Sequence, residues 1–126
     1  DFDIVFNIAK ACKQENISQF VYVSSLGANP NSSNFYLRLK GEIDEAVAKL
    51  NLNSTSVFRP SVLLGKRNES RPGEKILQFV LPLLDFMIPS NSKAIKAKDV
   101  AKSMFNTSKN YNSGVRIYHY NEIKEL

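Results

Sequence analysis

The sequence predicts an α/β fold, the carboxyl-terminal half of a doubly wound parallel sheet. Three observations predict it. Helical and strand-like patterns alternate in the order helix, strand, helix, strand, helices, strand, as crossover helices between parallel strands require. The stretch Ser24 to Lys40, SSLGANPNSSNFYLRLK, runs from a strand end through an Asn/Ser-rich loop into a helix. Three strands bury too little on both faces to stand alone, and the chain passes from Asp1 straight into a helical pattern. The expectation is therefore a piece of a larger domain.

Ile4, Val5, Ile8, Ala11 and Cys12 recur at helical spacing, with Asp1 and Asp3 near the positive end, so residues 3 to 15 read as a helix ended by Asn16. Gln19 to Ser24 is a short β-rich run closed abruptly by turn formers, a buried strand. Gly27 to Asn34 is loop, and Ser33 or Asn34 caps a helix from about Phe35 to Leu50. Residues 54 to 59 form a second strand closed by Pro60, followed by the loop SVLLGKRNESRPGE. A helix begins near Glu74. Its run from Ile76 to Ile88 is apolar on nearly every face, is broken by Pro82, and falls short of the about 20 residues that span a bilayer. Two short helices over a pocket fit it better, which makes 73–97 a small helical lid or substrate-side insertion. Ile95 to Ala97 reads as a brief extended piece, Lys98 to Ser108 as helix, Val115 to His119 as a third strand, and Asn121 as the cap of a terminal helical turn.

Composition bounds the function. With 126 residues, 43% hydrophobic and 23% charged, the chain has the composition of a folded domain rather than of a disordered one. Its net charge of +5 is spread along the chain, so no nucleic-acid tail is expected. The lone Cys12 excludes an internal disulfide and suits a reducing compartment, from which a cytoplasmic location is expected. With the single histidine, His119, it offers no metal site.

Projected at about 100° per residue, the second helix carries an apolar stripe of Leu39, Ile43, Val47 and Leu50, opposite Arg38, Glu42, Glu45 and Lys49. Tyr36 and Lys40 continue the buried stripe towards the helix N-terminus. A lysine there either snorkels to the rim or faces a polar pocket. A helix that follows a strand in a right-handed crossover runs back antiparallel to it. Ser24, Ser25, Tyr36 and Lys40 then all face the crevice where open α/β sheets bind ligands. An ammonium one helical turn from a phenol stabilises its phenolate, and a serine hydroxyl can hold a substrate oxygen. The Tyr-x-x-x-Lys spacing alone is weak, matching by chance about half the time in a lysine-rich chain; its position after a strand and a Ser-Ser pair gives it weight.

At Val23-Ser24-Ser25 with Gly27-Ala28, Ser33-Asn34, Tyr36-x-x-x-Lys40-Gly41-Glu42, Ser56-Val57-Phe58-Arg59-Pro60 and Glu69-Ser70-Arg71-Pro72-Gly73-Glu74, the sequence resembles the extended and atypical short-chain dehydrogenase/reductases. It looks most like their branch of Tat-interacting-protein oxidoreductases and bacterial NAD(P)-binding relatives. The resemblance implies a Rossmann-type fold in which residues 1–126 are a partial NAD(P)-binding domain, without the amino-terminal Gly-rich half. It implies Tyr36 as acid/base, Lys40 on the nicotinamide ribose, and Ser25 or Ser24 polarising the substrate. Pro60, Ser61, Val62 and Leu63 would line the nicotinamide, and Arg71 would approach the cofactor. NADP(H) is favoured, with NAD(H) as the other option. The expected function is hydride transfer to or from a small carbonyl or hydroxyl substrate. The competing expectation is a non-catalytic NAD(P)H-binding sensor or scaffold that meets a protein partner through residues 76–88.

Overall fold

The computed structural model describes residues 2–64 and 92–126. In chain order these form α1 (Phe2–Gln14), β1 (Phe20–Val23), α2 (Phe35–Lys49), β2 (Ser54–Phe58), β3 (Leu63–Leu64), β4 (Ile95–Lys96), α3 (Ala97–Ser108), β5 (Gly114–Tyr118) and α4 (Tyr120–Glu125). The expected elements are therefore present within a residue or two of their bounds wherever the chain is described. The helical run 76–88 and Arg71 lie outside the described residues. Of the 73–97 insertion, residues 73–91 lie outside them as well, while Ile95–Lys96 form β4 and Ala97 opens α3.

The main sheet has the order β1-β2-β5, all parallel, with Phe20 beside Thr55, Val23 beside Phe58 and Phe58 beside Tyr118. Central β2 is buried along its whole length, as a strand covered on both faces must be. On one face, Phe20, Tyr22 and Val57 pack with Ala9 of α1 and Ile43 and Val47 of α2; half-buried Cys12 packs against the same cluster. On the other face, Phe58 and Tyr118 stack at 4.8 Å and pack with Val100 of α3, Ile123 of α4 and Ile95 of β4. The result is three layers, helices on both sides of a parallel sheet, which is the Rossmann-type α/β architecture expected.

Local chemistry sets the helix ends. The chain leaves α1 through Asn16 at φ 53°, the left-handed conformation asparagine tolerates, while Ile17 N–H closes on the Cys12 carbonyl at 2.8 Å. Asn34, not Ser33, caps α2: its side-chain oxygen accepts from Leu37 N–H at 3.1 Å. The terminal helix corrects the expectation for Asn121. The cap is His119, whose N–H donates to Glu122 Oε2 at 3.0 Å. The helix begins directly out of β5, so the first residue after the strand takes the cap and the acid three positions on closes it. A second feature is absent from the sequence reading: β3 and β4 pair in parallel as a separate two-stranded sheet, Leu63 beside Ile95 and Leu64 beside Lys96. Among the described residues no helix is long and apolar enough to cross a membrane.

Candidate functional site

The carboxyl ends of β1 and β2 and the first three turns of α2 build the site. Ser24 follows β1, and its N–H donates to the Phe58 carbonyl at 2.7 Å; Leu26 N–H donates to the Pro60 carbonyl at 2.9 Å. These two bonds bring the Ser24–Leu26 segment against Phe58–Pro60, at the carboxyl ends of β1 and β2. The loop then folds back over α2. Asn29 N–H donates to the Leu37 carbonyl at 3.0 Å, and Arg38 Nη1 donates to the Ser32 carbonyl at 3.0 Å. Gly41 permits this approach: a Cβ there would lie 2.2 Å from the Asn29 carbonyl carbon and 2.3 Å from Pro30 N, so no larger residue fits without a backbone shift.

The polar centre of this region is Asp44, to which the sequence reading gave no role. Its Oδ1 accepts from the Tyr22 hydroxyl at 2.9 Å; its Oδ2 accepts from the Ser24 hydroxyl at 2.9 Å and from Arg59 Nε and Nη2 at 3.0 and 2.8 Å. Burial and the adjacent Asp44 charge push the Tyr22 phenol far above its ordinary range, with Arg59 opposing. A carboxylate held by a guanidinium and two hydroxyls is a satisfied buried charge. The signals in the sequence were Asp44 between the inward Ile43 and Val47, and Arg59 ending an otherwise uncharged buried strand.

Tyr36 and Lys40 are brought together, with Lys40 Nζ 5.7 Å from the Tyr36 ring centroid. They do not continue a buried stripe. Tyr36 is 49% exposed and Lys40 half-buried. Asp44 is level with Ser24 at the strand end, so Tyr36, eight residues earlier, stands roughly 12 Å further along the helix axis. The first turn of α2, around exposed Phe35 and Tyr36, therefore reaches past the strand ends beside the Ser25–Pro30 loop, while Leu39 already packs against the core. Ser25 is half-buried, and its hydroxyl makes a 3.3 Å contact with the Leu26 carbonyl. Among the described residues no hydrogen bond joins either serine to Tyr36. Ser61 Oγ donates to the Lys93 carbonyl, while Val62 and Leu63 are exposed, 38% and 42%. His119, which follows β5 at the carboxyl edge of the sheet, serves as a helix cap.

A three-layer α/β sheet with hydroxyl, phenol and ammonium side chains beyond the carboxyl ends of β1 and β2 is a Rossmann-type architecture, and open sheets of this kind bind ligands at that edge. Comparison with known proteins carries this further. No family model matches the chain. It is 39% identical over 79 residues to "Protein fmp52, mitochondrial" of Emericella nidulans, covering 63% of this chain and 34% of that protein. It is 46% identical over 74 residues to "Protein HTATIP2" of Rattus norvegicus, covering 59% and 31%. The chain thus spans about a third of the length of the curated relatives it matches. Among solved structures, UDP-N-acetylglucosamine 4-epimerase from Methanobrevibacter ruminantium superposes with a TM-score of 0.63 at 19% identity, over 98% of this chain and 50% of that one. The enzyme WbmH of Bordetella bronchiseptica, in complex with NAD+, superposes with a TM-score of 0.60 at 18% identity, over 91% and 43%. The superpositions show that the chain has the Rossmann-type α/β fold of these structures, and its sequence is similar to the FMP52 and HTATIP2 proteins.

One expectation is corrected. The FMP52 relatives from Emericella nidulans, Debaryomyces hansenii and Candida glabrata are named as mitochondrial proteins, which points to a mitochondrial rather than a cytoplasmic location. An unpaired cysteine reports a reducing milieu and does not distinguish one reducing compartment from another.

Proposed function

We propose that this chain is the catalytic half of a nicotinamide-dinucleotide-dependent oxidoreductase that acts on a small carbonyl or hydroxyl compound in mitochondria, with NADP(H) preferred over NAD(H). The observation that carries the reading is the pairing of Tyr36 and Lys40 at the overhanging start of α2, beside the serine loop. The residues present suit a dinucleotide: Lys40 is a cation that would hold ribose hydroxyls, and Pro60, Ser61, Val62 and exposed Leu63 would offer a partly apolar wall for a flat ring. Arg71, outside the described residues, belongs to the same proposal. Bound there, the cofactor supplies or accepts hydride.

The chain's own residues handle the proton. In the reducing direction the Tyr36 hydroxyl would give its proton to the substrate's carbonyl oxygen. The Lys40 ammonium stabilises the phenolate left behind. A serine hydroxyl from the Ser24–Ser25 pair donates to the same oxygen and holds it in place. In the oxidising direction each step reverses.

The test is Tyr36→Phe in the complete protein, with NADPH and the carbonyl probe phenanthrenequinone. The reading expects turnover to fall by about 100-fold or more, as for loss of a general acid, with NADPH binding retained. Turnover equal to that of the unmodified protein sinks the mechanism.

A further inference from the structure

We propose that Asp44 is the positioning residue of this site: it withdraws Ser24 from the crevice and leaves Ser25 as the serine that meets substrate. The inference rests on the oxidoreductase reading for its chemistry and on the described contacts for its geometry. A serine hydroxyl has one proton to donate. Ser24 gives its proton to Asp44 Oδ2 at 2.9 Å and is only 5% exposed. To polarise a carbonyl it would have to leave a carboxylate that also holds Tyr22 and Arg59, and enter a space from which its own backbone, tied to the Phe58 carbonyl, keeps it. Ser25 is the opposite case. Its hydroxyl has a 3.3 Å contact with the next residue's carbonyl, a long bond easily exchanged for a better acceptor. The Leu26–Pro60 backbone bond fixes its position at the edge.

Asp44 also connects the pieces that must stay in register. Through Tyr22 and Ser24 it grips β1, through Arg59 the end of β2, and it sits one turn after Lys40 on α2. Gly41, between them, seats the Asn29–Pro30 backbone. The height of Lys40 over the sheet edge and the path of the serine loop are thus set by one carboxylate.

The test uses thiol reporters and does not depend on knowing the substrate. In the complete protein, with every native cysteine replaced by serine, Ser24→Cys, Ser25→Cys and Ser56→Cys are each labelled with dithionitrobenzoate. Ser56 is buried in the centre of β2 and reports the integrity of the core. The expected result is labelling at position 25 about 100-fold faster than at position 24, as exposure of a site by local opening governs its reaction. Adding Asp44→Asn should raise the rate at position 24 by about tenfold or more while position 56 stays protected. Equal rates at 24 and 25, or protection at 24 that ignores Asp44, would overturn the proposal. If Asp44→Asn also opens position 56, Asp44→Glu replaces it, keeping the charge but displacing the carboxylate; no rise at position 24 then overturns the proposal equally. NADPH separates this inference from the function beneath it. Protection of position 25 by NADPH supports both, whereas an intact contrast between 24 and 25 without NADPH protection upholds the role of Asp44 and removes the cofactor reading.

Discussion

The two halves of α2 are built to opposite specifications. From Gly41 onward the helix is pinned: Gly41 against the Asn29–Pro30 backbone, Asp44 in four hydrogen bonds to β1 and β2, Ile43 and Val47 in the core. Before Gly41 it opens: Leu39 still packs against the core, but Tyr36 is exposed, with Lys40 beside its ring. Reactive side chains need access to their substrate, and access costs packing. The rigid half supplies the positional accuracy that the open half cannot generate for itself.

Substitutions in α2 and at its contact in β1 test this contrast. The largest effect is expected for Asp44→Ala, which strands the Arg59 guanidinium, 19% exposed, without its carboxylate. Losing one partner of a buried pair costs about 3–5 kcal/mol, read as a lowered urea midpoint of the complete protein; a loss below about 1 kcal/mol would make the two halves equivalent. Gly41→Ala comes next at about 1–3 kcal/mol, the usual cost of overpacking. It should also accelerate amide exchange at Asn29, whose N–H bond to Leu37 it must disturb. A third effect appears only in alkali. Tyr22 has its folded pKa raised by burial and by Asp44. Its contribution is therefore fully present below the unfolded value near 10 and is lost as pH climbs above it. Urea midpoints should fall above about pH 10, and Tyr22→Phe should flatten that slope; an unchanged slope would remove Tyr22 as its source. The smallest effect belongs to the open half. Tyr36→Phe should change stability by no more than about 0.5 kcal/mol, and a cost like that of Asp44→Ala would show Tyr36 to be structural.

Much of this was legible in the sequence. Alternating periodicities gave the layered parallel sheet, and Asn34 and Asn16 marked helix ends because their short amides satisfy or tolerate what helix ends demand. The crossover rule alone put the Ser-Ser pair, Tyr36 and Lys40 at one edge. The exposure of Tyr36 was not legible, because periodicity gives the direction of a side chain and not whether anything lies opposite it. Asp44 was passed over for a similar reason: beside Glu42 and Glu45 it reads as one more charged helix residue, although its place between inward Ile43 and Val47 and the charge of Arg59 at a buried strand's end were signals for it. The two-residue pairing of β3 with β4 carries no local signal, since its partners are 32 positions apart in register.

The most direct measurement is a fluorescence titration of the complete protein with NADPH, run in parallel with NADH. The account predicts saturable binding, tighter for NADPH, that weakens when Lys40 is replaced by alanine and persists in Tyr36→Phe. Absence of binding by either nucleotide would contradict it, and would leave the Tyr36–Lys40 pair as the exposed end of a structural helix.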